Sequence, residues 1–281
     1  MTLPSDGHVH SEWSWDTPVG AMERSCARAR ELGLPSIAFT EHVDHTVWSV
    51  TPDVLGDAHL ASFTSGGLLT PPAFDASGYL EAIERCRERF PDLRILSGME
   101  VGEPHWHAEA VAKLLGAGRF DRVLGSLHCL PFPSGDGFAE PPGQYGRRAA
   151  AEVVREYLAE IVTLVAQSEV FAVLAHIDYP VRSWPERTAG PFEPRAFEEE
   201  FRAALRATAR SGRVLEINTR LPLDPAILRW WHEEGGEAVA FGSDAHAPDL
   251  VAHGFREAAA MAGACGFRPG SDPYDFWART D

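Results

Sequence analysis

Positive charge is scarce in this sequence. Its 25 lysines and arginines stand against 41 aspartates and glutamates, a formal net charge of −16. A chain this acidic lacks the basic surface that a nucleic-acid backbone requires. Lysine itself occurs once, at Lys113. Long apolar runs are missing too: none approaches the roughly 20 residues of a membrane span, so no membrane partner is expected. The N-terminus is polar rather than signal-like, and His8 and His10 are expected to leave no room for a cleaved leader. The four cysteines, Cys26, Cys86, Cys129 and Cys265, are scattered and form no CxxC pair. That pattern lacks the spacing of a zinc finger and reads as reduced thiols of a cytoplasmic protein, mostly in packing roles. Repeats, low-complexity tracts and Gly/Ser linkers are absent, and 44% hydrophobic content can fill one sizeable core. One domain spanning 1–281 is expected.

Short apolar runs alternate with amphipathic stretches along the whole chain. The runs are "DGHVH", "SIAFTEH", "RILSGME", "RVLGSLH", "FAVLAHID", "VLEINTR" and "AVAFGSDAH". Between them lie helical patterns such as "TPVGAMERSCARARELG", with Thr17 as the expected N-cap, Pro18 in the first turn and Gly33 past the end. The longest is "RRAAAEVVREYLAEIVTLVAQSE". Strand followed by helix, seven times over, predicts a parallel α/β architecture. Two longer segments rich in Pro and Gly, Val43 to Ala76 and Leu130 to Gly146, read as functional loops.

What each run ends in carries more information than the number of runs. The terminal residues are His10, Glu41-His42, Glu100, His128, His176, Asn218 to Arg220 and Asp244 to His246. His8 and His10 share one face of a strand, because side chains alternate with period two. In a barrel of parallel strands the C-terminal ends converge on one face, where the loops build the site. Any one such histidine is an ordinary polar residue; seven strands ending this way describe a polynuclear metal site. An all-His/carboxylate set without thiolates suits Zn, Fe or Mn.

In that order, "DGHVH" with Asp16, "FTEH", "SGME", "GSLH", "LAHID" and "GSDAH" resemble the polymerase and histidinol phosphatase (PHP) family over essentially the whole chain, most closely its histidinol-phosphate phosphatase branch. The resemblance implies a distorted seven-stranded (β/α)7 TIM-like barrel holding two to three divalent metal ions. Matched residue by residue, it implies that His8, His10, Glu100 and Asp244 hold one ion. Glu100 bridges to a second, completed by His128 and His176, and Asp16, His42 and His246 hold a third. Asp16 stands where other members often carry histidine, which makes that ligand harder and anionic.

Two cations bridged by Glu100 can share a hydroxide, since metal binding brings the pKa of water to about 7. In-line attack of that hydroxide on phosphorus would make the chain a metal-dependent phosphomonoesterase, with L-histidinol phosphate as expected substrate. Glu100 and Asp244 are its catalytic carboxylates. Arg220, after "EINT", and Arg182, six residues beyond His176, are expected to clamp the phosphate, Arg182 with the milder effect. Asp178 is a candidate acid for the leaving alkoxide. A substrate carrying an ammonium and an imidazole calls for carboxylates outside the ligand set, and Glu41, Asp44 and Glu103 follow strand ends.

Other residues receive blander readings. His105 and His107 in "GEPHWH" are read as loop wall or capping, and Cys129 as a buried thiol. Trp106, Tyr179 and Trp184 are read as packing residues able to stack on a substrate ring. A PHP phosphatase or phosphodiesterase acting on a nucleotide or sugar phosphate is the alternative. An amidohydrolase that bridges its metals through a carbamylated lysine fails, because Lys113 sits inside a helical pattern; a lysine-free amidohydrolase-like metal hydrolase stays as a lesser alternative. Acidity argues against a nuclease or proofreading module, and a complete ligand set against a non-catalytic metal-binding domain.

Overall fold

All seven apolar runs form strands that lie side by side in chain order. The computed structural model describes residues 3–280, so the outermost residues of the expected 1–281 domain lie outside it. The strands are β1 (Asp6–Val9), β2 (Ser36–Val43), β3 (Arg94–Gly102), β4 (Arg122–Ser126), β5 (Val173–Leu174), β6 (Val214–Asn218) and β7 (Ala238–Gly242). Each pairs in parallel with the next. Their runs are buried almost throughout, as in "SIAFTEHV", because helices cover one face and the sheet's own curl covers the other. Two antiparallel strands that the apolar runs do not announce, β8 (Phe267–Arg268) and β9 (Trp277–Arg279), extend the sheet beyond β7.

The sheet curls until its first strand touches the segment that follows β7. Val9 forms a parallel bridge with Ala245, His10 N–H donates to Ala245 O (2.9 Å), and Asp244 N–H donates to His8 O (2.8 Å). This contact is what carries the last run back to the first.

Helices α1 (Met22–Leu32), α2 (Ala76–Arg89), α3 (Ala108–Leu115), α4 (Ala150–Gln167), α5 (Glu198–Arg210), α6 (Pro225–Glu233) and α7 (Phe255–Ala264) separate or follow the strands. Met22, Cys26 and Ala29 of α1 pack with Tyr79 and Ile83 of α2 against Val9, Ile37 and Phe39. Tyr157 and Ile161 of α4, Phe201 and Leu205 of α5 and Trp231 of α6 cover the opposite arc. The buried Tyr79 hydroxyl donates to Phe39 O (2.7 Å) and accepts from Gly98 N–H (2.8 Å), tying α2 to the backbones of β2 and β3. Among the described residues no helix is long and apolar enough to cross a membrane.

The first helix begins later than expected. Residues 11–20 are turns, and α1 starts at Met22, whose N–H donates to Glu12 Oε2 (2.6 Å). Thr17 caps nothing; its hydroxyl donates to Asp16 Oδ1 (3.0 Å). The other end matches, with Gly33 at φ 69° as a left-handed C-cap. The two long segments are not structureless either. They pair with one another in a small five-stranded sheet, whose crossing point is the parallel bridge between Trp48 and Phe138.

Candidate metal centre

His8 and His10 come off β1 on the same side, and their Nε2 atoms face each other at 3.0 Å. Glu100, near the end of β3, reaches between them: its Oε2 is 3.1 Å from His8 Nε2 and 3.4 Å from His10 Nε2. Its other oxygen, Oε1, is 3.1 Å from His128 Nε2 and 2.6 Å from His176 Nε2. Asp244, brought over by the contact between β1 and the segment after β7, sits with Oδ1 3.5 Å from His10 Nε2. On the outer side Asp16 Oδ2 lies 3.4 Å from His42 Nε2 and 3.2 Å from His246 Nε2. All nine residues expected as ligands therefore converge. His42 also has its Nδ1 3.2 Å from Glu100 Oε2, and its ring stacks on His10 at 4.1 Å between centroids. The outer group is thus continuous with the inner ones.

The donor set fits metal ions, and the evidence is in how the rings are tethered. His8 Nδ1 faces Glu216 Oε1 at 2.7 Å and His128 Nδ1 faces Asp44 Oδ1 at 3.1 Å. A carboxylate oxygen only accepts, so both Nδ1 atoms carry a proton, and a cation placed beside Glu100 would find both Nε2 atoms turned towards it. His10 Nδ1 donates to Ser14 Oγ (3.0 Å), whose own proton goes to Glu41 Oε2 (2.6 Å). Ring nitrogens gathered this closely around one carboxylate form a donor set that a cation would satisfy. The buried Nδ1 of His42 has no hydrogen-bond partner, which leaves it free as a ligand. Three overlapping triads, His8/His10/Glu100, His42/Glu100/His128 and His10/His42/His246, each bring their ligand atoms within 4.8 Å of one another.

Electrostatics agree with that reading. Burial alone would raise the Glu100 carboxyl, but His8, His42, His128 and His176 around it hold it well below the usual carboxylate range. Burial likewise opposes ionisation of Asp244, and Arg182, His8 and His10 outweigh it. His10 is pushed up to about 9: burial works against its charge, and Asp244 and Glu100 overcome burial. The same potential that stabilises a proton there stabilises a metal. His42 falls to about 4, chiefly through burial. Strained backbone marks the same place, with positive φ at His176 (21°) and Asp244 (52°), each costing roughly 1–3 kcal/mol.

A cavity of about 390 Å³ opens directly above these residues. Asp16, His42, His128, His176, Asp244 and His246 form its floor, and Arg182 and Arg220 stand on one side. Arg182 Nη2 donates to Asp244 Oδ2 (2.6 Å) and Asn218 Oδ1 (3.1 Å), and its guanidinium lies 5.1 Å from the Tyr179 ring centroid. Arg220 Nη1 is 3.3 Å from Asp244 Oδ1. The apolar part of the lining comes from Trp15 and from Trp48, Val54, Leu60 and Leu69 of the 43–76 segment. Glu140 and Asp44 complete the lining, and Tyr179 donates its hydroxyl to Glu140 Oε1 (2.7 Å).

Some expectations are corrected and others agree with the structure. Glu41 is fully buried and spent on Ser11 N–H, the Ser11 hydroxyl and the Ser14 hydroxyl. Glu103 is buried and accepts from Thr46 Oγ1, His128 N–H and Cys129 N–H. Neither has an oxygen to offer a substrate; both brace the loops that carry ligands. Asp178 does not line the cavity. Trp184 packs on Phe192 and Phe197, and Trp106 on Phe138. His107 makes no cap and instead meets Thr46 Oγ1 (2.9 Å), while His105 meets Glu160 Oε1 (2.7 Å). Cys129 is a buried thiol, raised well above its usual value by burial. Lys113 is exposed on α3, far from the role of a strand-end bridge.

Sequence reasoning missed Glu216, Ser14 and Glu140. Glu216 was visible as a charge in the middle of the apolar run "VLEIN", where only a buried partner permits it. Ser14 and Glu140 gave no signal, lying in turns whose pairing only the fold defines.

Comparison with known proteins gives the same picture. The histidinol-phosphatase of Lactococcus lactis subsp. lactis (strain IL1403) is 26% identical over 261 residues, covering 86% of this chain and 83% of that protein. The crystal structure of the histidinol phosphate phosphatase from Lactococcus lactis, complexed with zinc, L-histidinol and phosphate, superposes with a TM-score of 0.77 at 23% identity, covering 98% of both chains. A PHP domain model matches residues 6–220, and on that match the chain belongs to the PHP domain family.

Proposed function

We propose that this chain is a metal-dependent phosphomonoesterase that hydrolyses L-histidinol phosphate to L-histidinol and phosphate. The observation that carries the reading is one cavity in which two arginines face a His/carboxylate cluster able to hold cations. The names of the L. lactis relatives support the substrate. With it goes the reading of the curled sheet as a distorted seven-stranded barrel within one PHP domain, supported by the seven parallel strands and the Val9–Ala245 bridge.

His8, His10, Glu100 and Asp244 would hold one ion, Glu100, His128 and His176 a second, and Asp16, His42 and His246 a third. Two to three Zn, Fe or Mn ions would supply Lewis acidity, lowering the pKa of water towards about 7 and neutralising phosphoryl charge. The chain's own residues do the rest. Glu216, Asp44 and Ser14 fix the rings so that their Nε2 atoms face inward. Arg182 and Arg220 grip the phosphate oxygens, whose charge grows as the ester P–O bond breaks. Glu140, in place of Glu41 and Glu103, receives the ammonium or the imidazole of the alcohol half. Trp15, Trp48 and Leu69, the apolar part of the lining, exclude water.

A kinetic panel of phosphorylated metabolites on metal-loaded enzyme tests this. Histidinol phosphate should exceed simple sugar phosphates and AMP by at least tenfold in kcat/KM, about 1.4 kcal/mol. A sugar phosphate or nucleotide turned over faster rejects the substrate; no phosphatase activity with any of them rejects the reaction.

A further inference from the structure

Glu216 sits mid-strand in β6, 2% exposed, and both of its oxygens are committed. Oε1 faces His8 Nδ1 at 2.7 Å. Oε2 accepts from the His176 backbone N–H (2.9 Å) and from Asn218 Nδ2 (3.0 Å). Asn218 passes the connection on, its Oδ1 accepting from Arg182 Nη2 (3.1 Å) and from the Arg220 backbone N–H (3.0 Å). Space for this carboxylate is kept by Gly242, where a Cβ would stand 2.0 Å from Glu216 Oε1 and 2.6 Å from His8 Cβ.

Every one of these partners is a donor, so only a group that accepts through both oxygens satisfies them together. A glutamine cannot. With its amide nitrogen towards His8, the ring must place its proton on Nε2, removing the lone pair that faces Glu100. With its amide nitrogen the other way, three donors meet at His176 N–H and Asn218 Nδ2, and the backbone that holds His176 at positive φ loses its restraint.

We infer that Glu216, acting through Asn218, is a positioning residue that sets the His8 tautomer, seats His176 and aligns both arginines from one carboxylate. The inference rests on the metal-dependent reading of the site. Such indirect partners of metal-bound histidines typically affect metal affinity by about 10–100-fold.

The test uses zinc titration of the apo full-length chain, followed calorimetrically, with inorganic phosphate as a separate probe of the arginines. Glu216→Gln should weaken zinc binding at least tenfold at one or more sites. Asn218→Ala should keep zinc binding within threefold of wild type while weakening inhibition by phosphate at least fivefold, a split that a general loss of structure would not produce. Should Glu216→Gln fail to fold, nitrogen-resolved NMR of the zinc-loaded wild type decides: a slowly exchanging, low-field Nδ1 proton on His8 is expected. Wild-type zinc affinity in Glu216→Gln, phosphate inhibition unchanged in Asn218→Ala, or a bare Nδ1 on His8 each overturns the inference. A wild-type protein that binds no divalent metal would instead overturn the proposed function on which it rests.

Discussion

Removing the Arg182 side chain tests the phosphate clamp most directly, and burial decides how large the effect should be. Position in the sequence favours Arg220 as the stronger contact. The geometry reverses that order: the Arg182 side chain is 18% exposed and the Arg220 side chain 47%. Arg182 is also held on three sides, by Asp244, Asn218 and the Tyr179 ring, so little entropy remains to be lost on gripping a phosphate. A preorganised donor aimed at growing negative charge contributes about 2.7–4 kcal/mol in a water-excluded site. Discounting for the residual exposure, Arg182→Ala should cost about 2–4 kcal/mol in transition-state stabilisation, a fall in kcat/KM of roughly 30- to 1000-fold. Arg220→Ala should cost about 1–2 kcal/mol, because water screens its contacts.

Arg182 has a second partner that must be separated from the first. Its loss strips a charged donor from buried Asp244, and breaking a buried pair costs about 3–5 kcal/mol when nothing else compensates. Here His10, Arg220 and a bound cation compensate, so the stability cost should shrink once metal is present. The assay is therefore steady-state kinetics on metal-saturated enzyme, with metal content measured on the same sample. Arginine to lysine keeps the charge but not the fork and should recover only part of the loss. A kcat/KM within threefold of wild type at unchanged metal content would falsify the clamp. Loss of metal in Arg182→Ala would show that the arginine serves Asp244 rather than the phosphate.

Three further outcomes follow from the same geometry. Chelation should abolish activity and added Mn, Fe or Zn restore it, while Glu100→Gln should bind at least one ion fewer and show no turnover, since an amide cannot bridge as a carboxylate does; an active Glu100→Gln protein refutes the bridging role. Burial raises the Glu140 carboxyl above its ordinary value, so acidification removes its charge sooner than at an exposed glutamate. The KM for histidinol phosphate relative to an uncharged aryl phosphate should be low above that raised value and climb as pH falls through it. In Glu140→Gln the ratio should be high and independent of pH, and an unchanged ratio removes Glu140 from recognition. Tyr79→Phe leaves Phe39 O and Gly98 N–H without their partner, at about 1–3 kcal/mol, so thermal unfolding should begin several degrees earlier with kinetics intact; an unchanged midpoint means that water replaces the hydroxyl.

How much of this was readable beforehand depends on the range of the interaction. Strand ends bearing His10, Glu100, His128 and Asp244 were legible because a polar residue closing an apolar run is a local signal, repeated along the chain. Parallel topology places them all on one edge of the sheet, and the contact between β1 and the segment after β7 brings Asp244 round to His10. Thr17 misled because its helix-start pattern is local while the actual start is fixed by Glu12 reaching Met22 from outside the helix. Glu41 and Glu103 misled for a related reason: adjacency to a ligand in sequence says nothing of which way a carboxylate turns, and alternation along β2 sends Glu41 to the other face from His42. The hairpin of β8 and β9 is built from pieces of two and three residues, too short for any periodic pattern.

The bridge between Trp48 and Phe138 has a consequence for how substrate preference can change. The segments it joins leave the main sheet after β2 and after β4, yet their strands belong to one small sheet. Transplanting either segment alone from a relative with another specificity would leave an unpaired edge above the cavity. The two must be exchanged as a unit, whereas the residues of the candidate metal centre, from the strand ends of the main sheet, can stay as they are. A new leaving group could then be accommodated by replacing one two-part cover, with the phosphate end of the reaction left untouched.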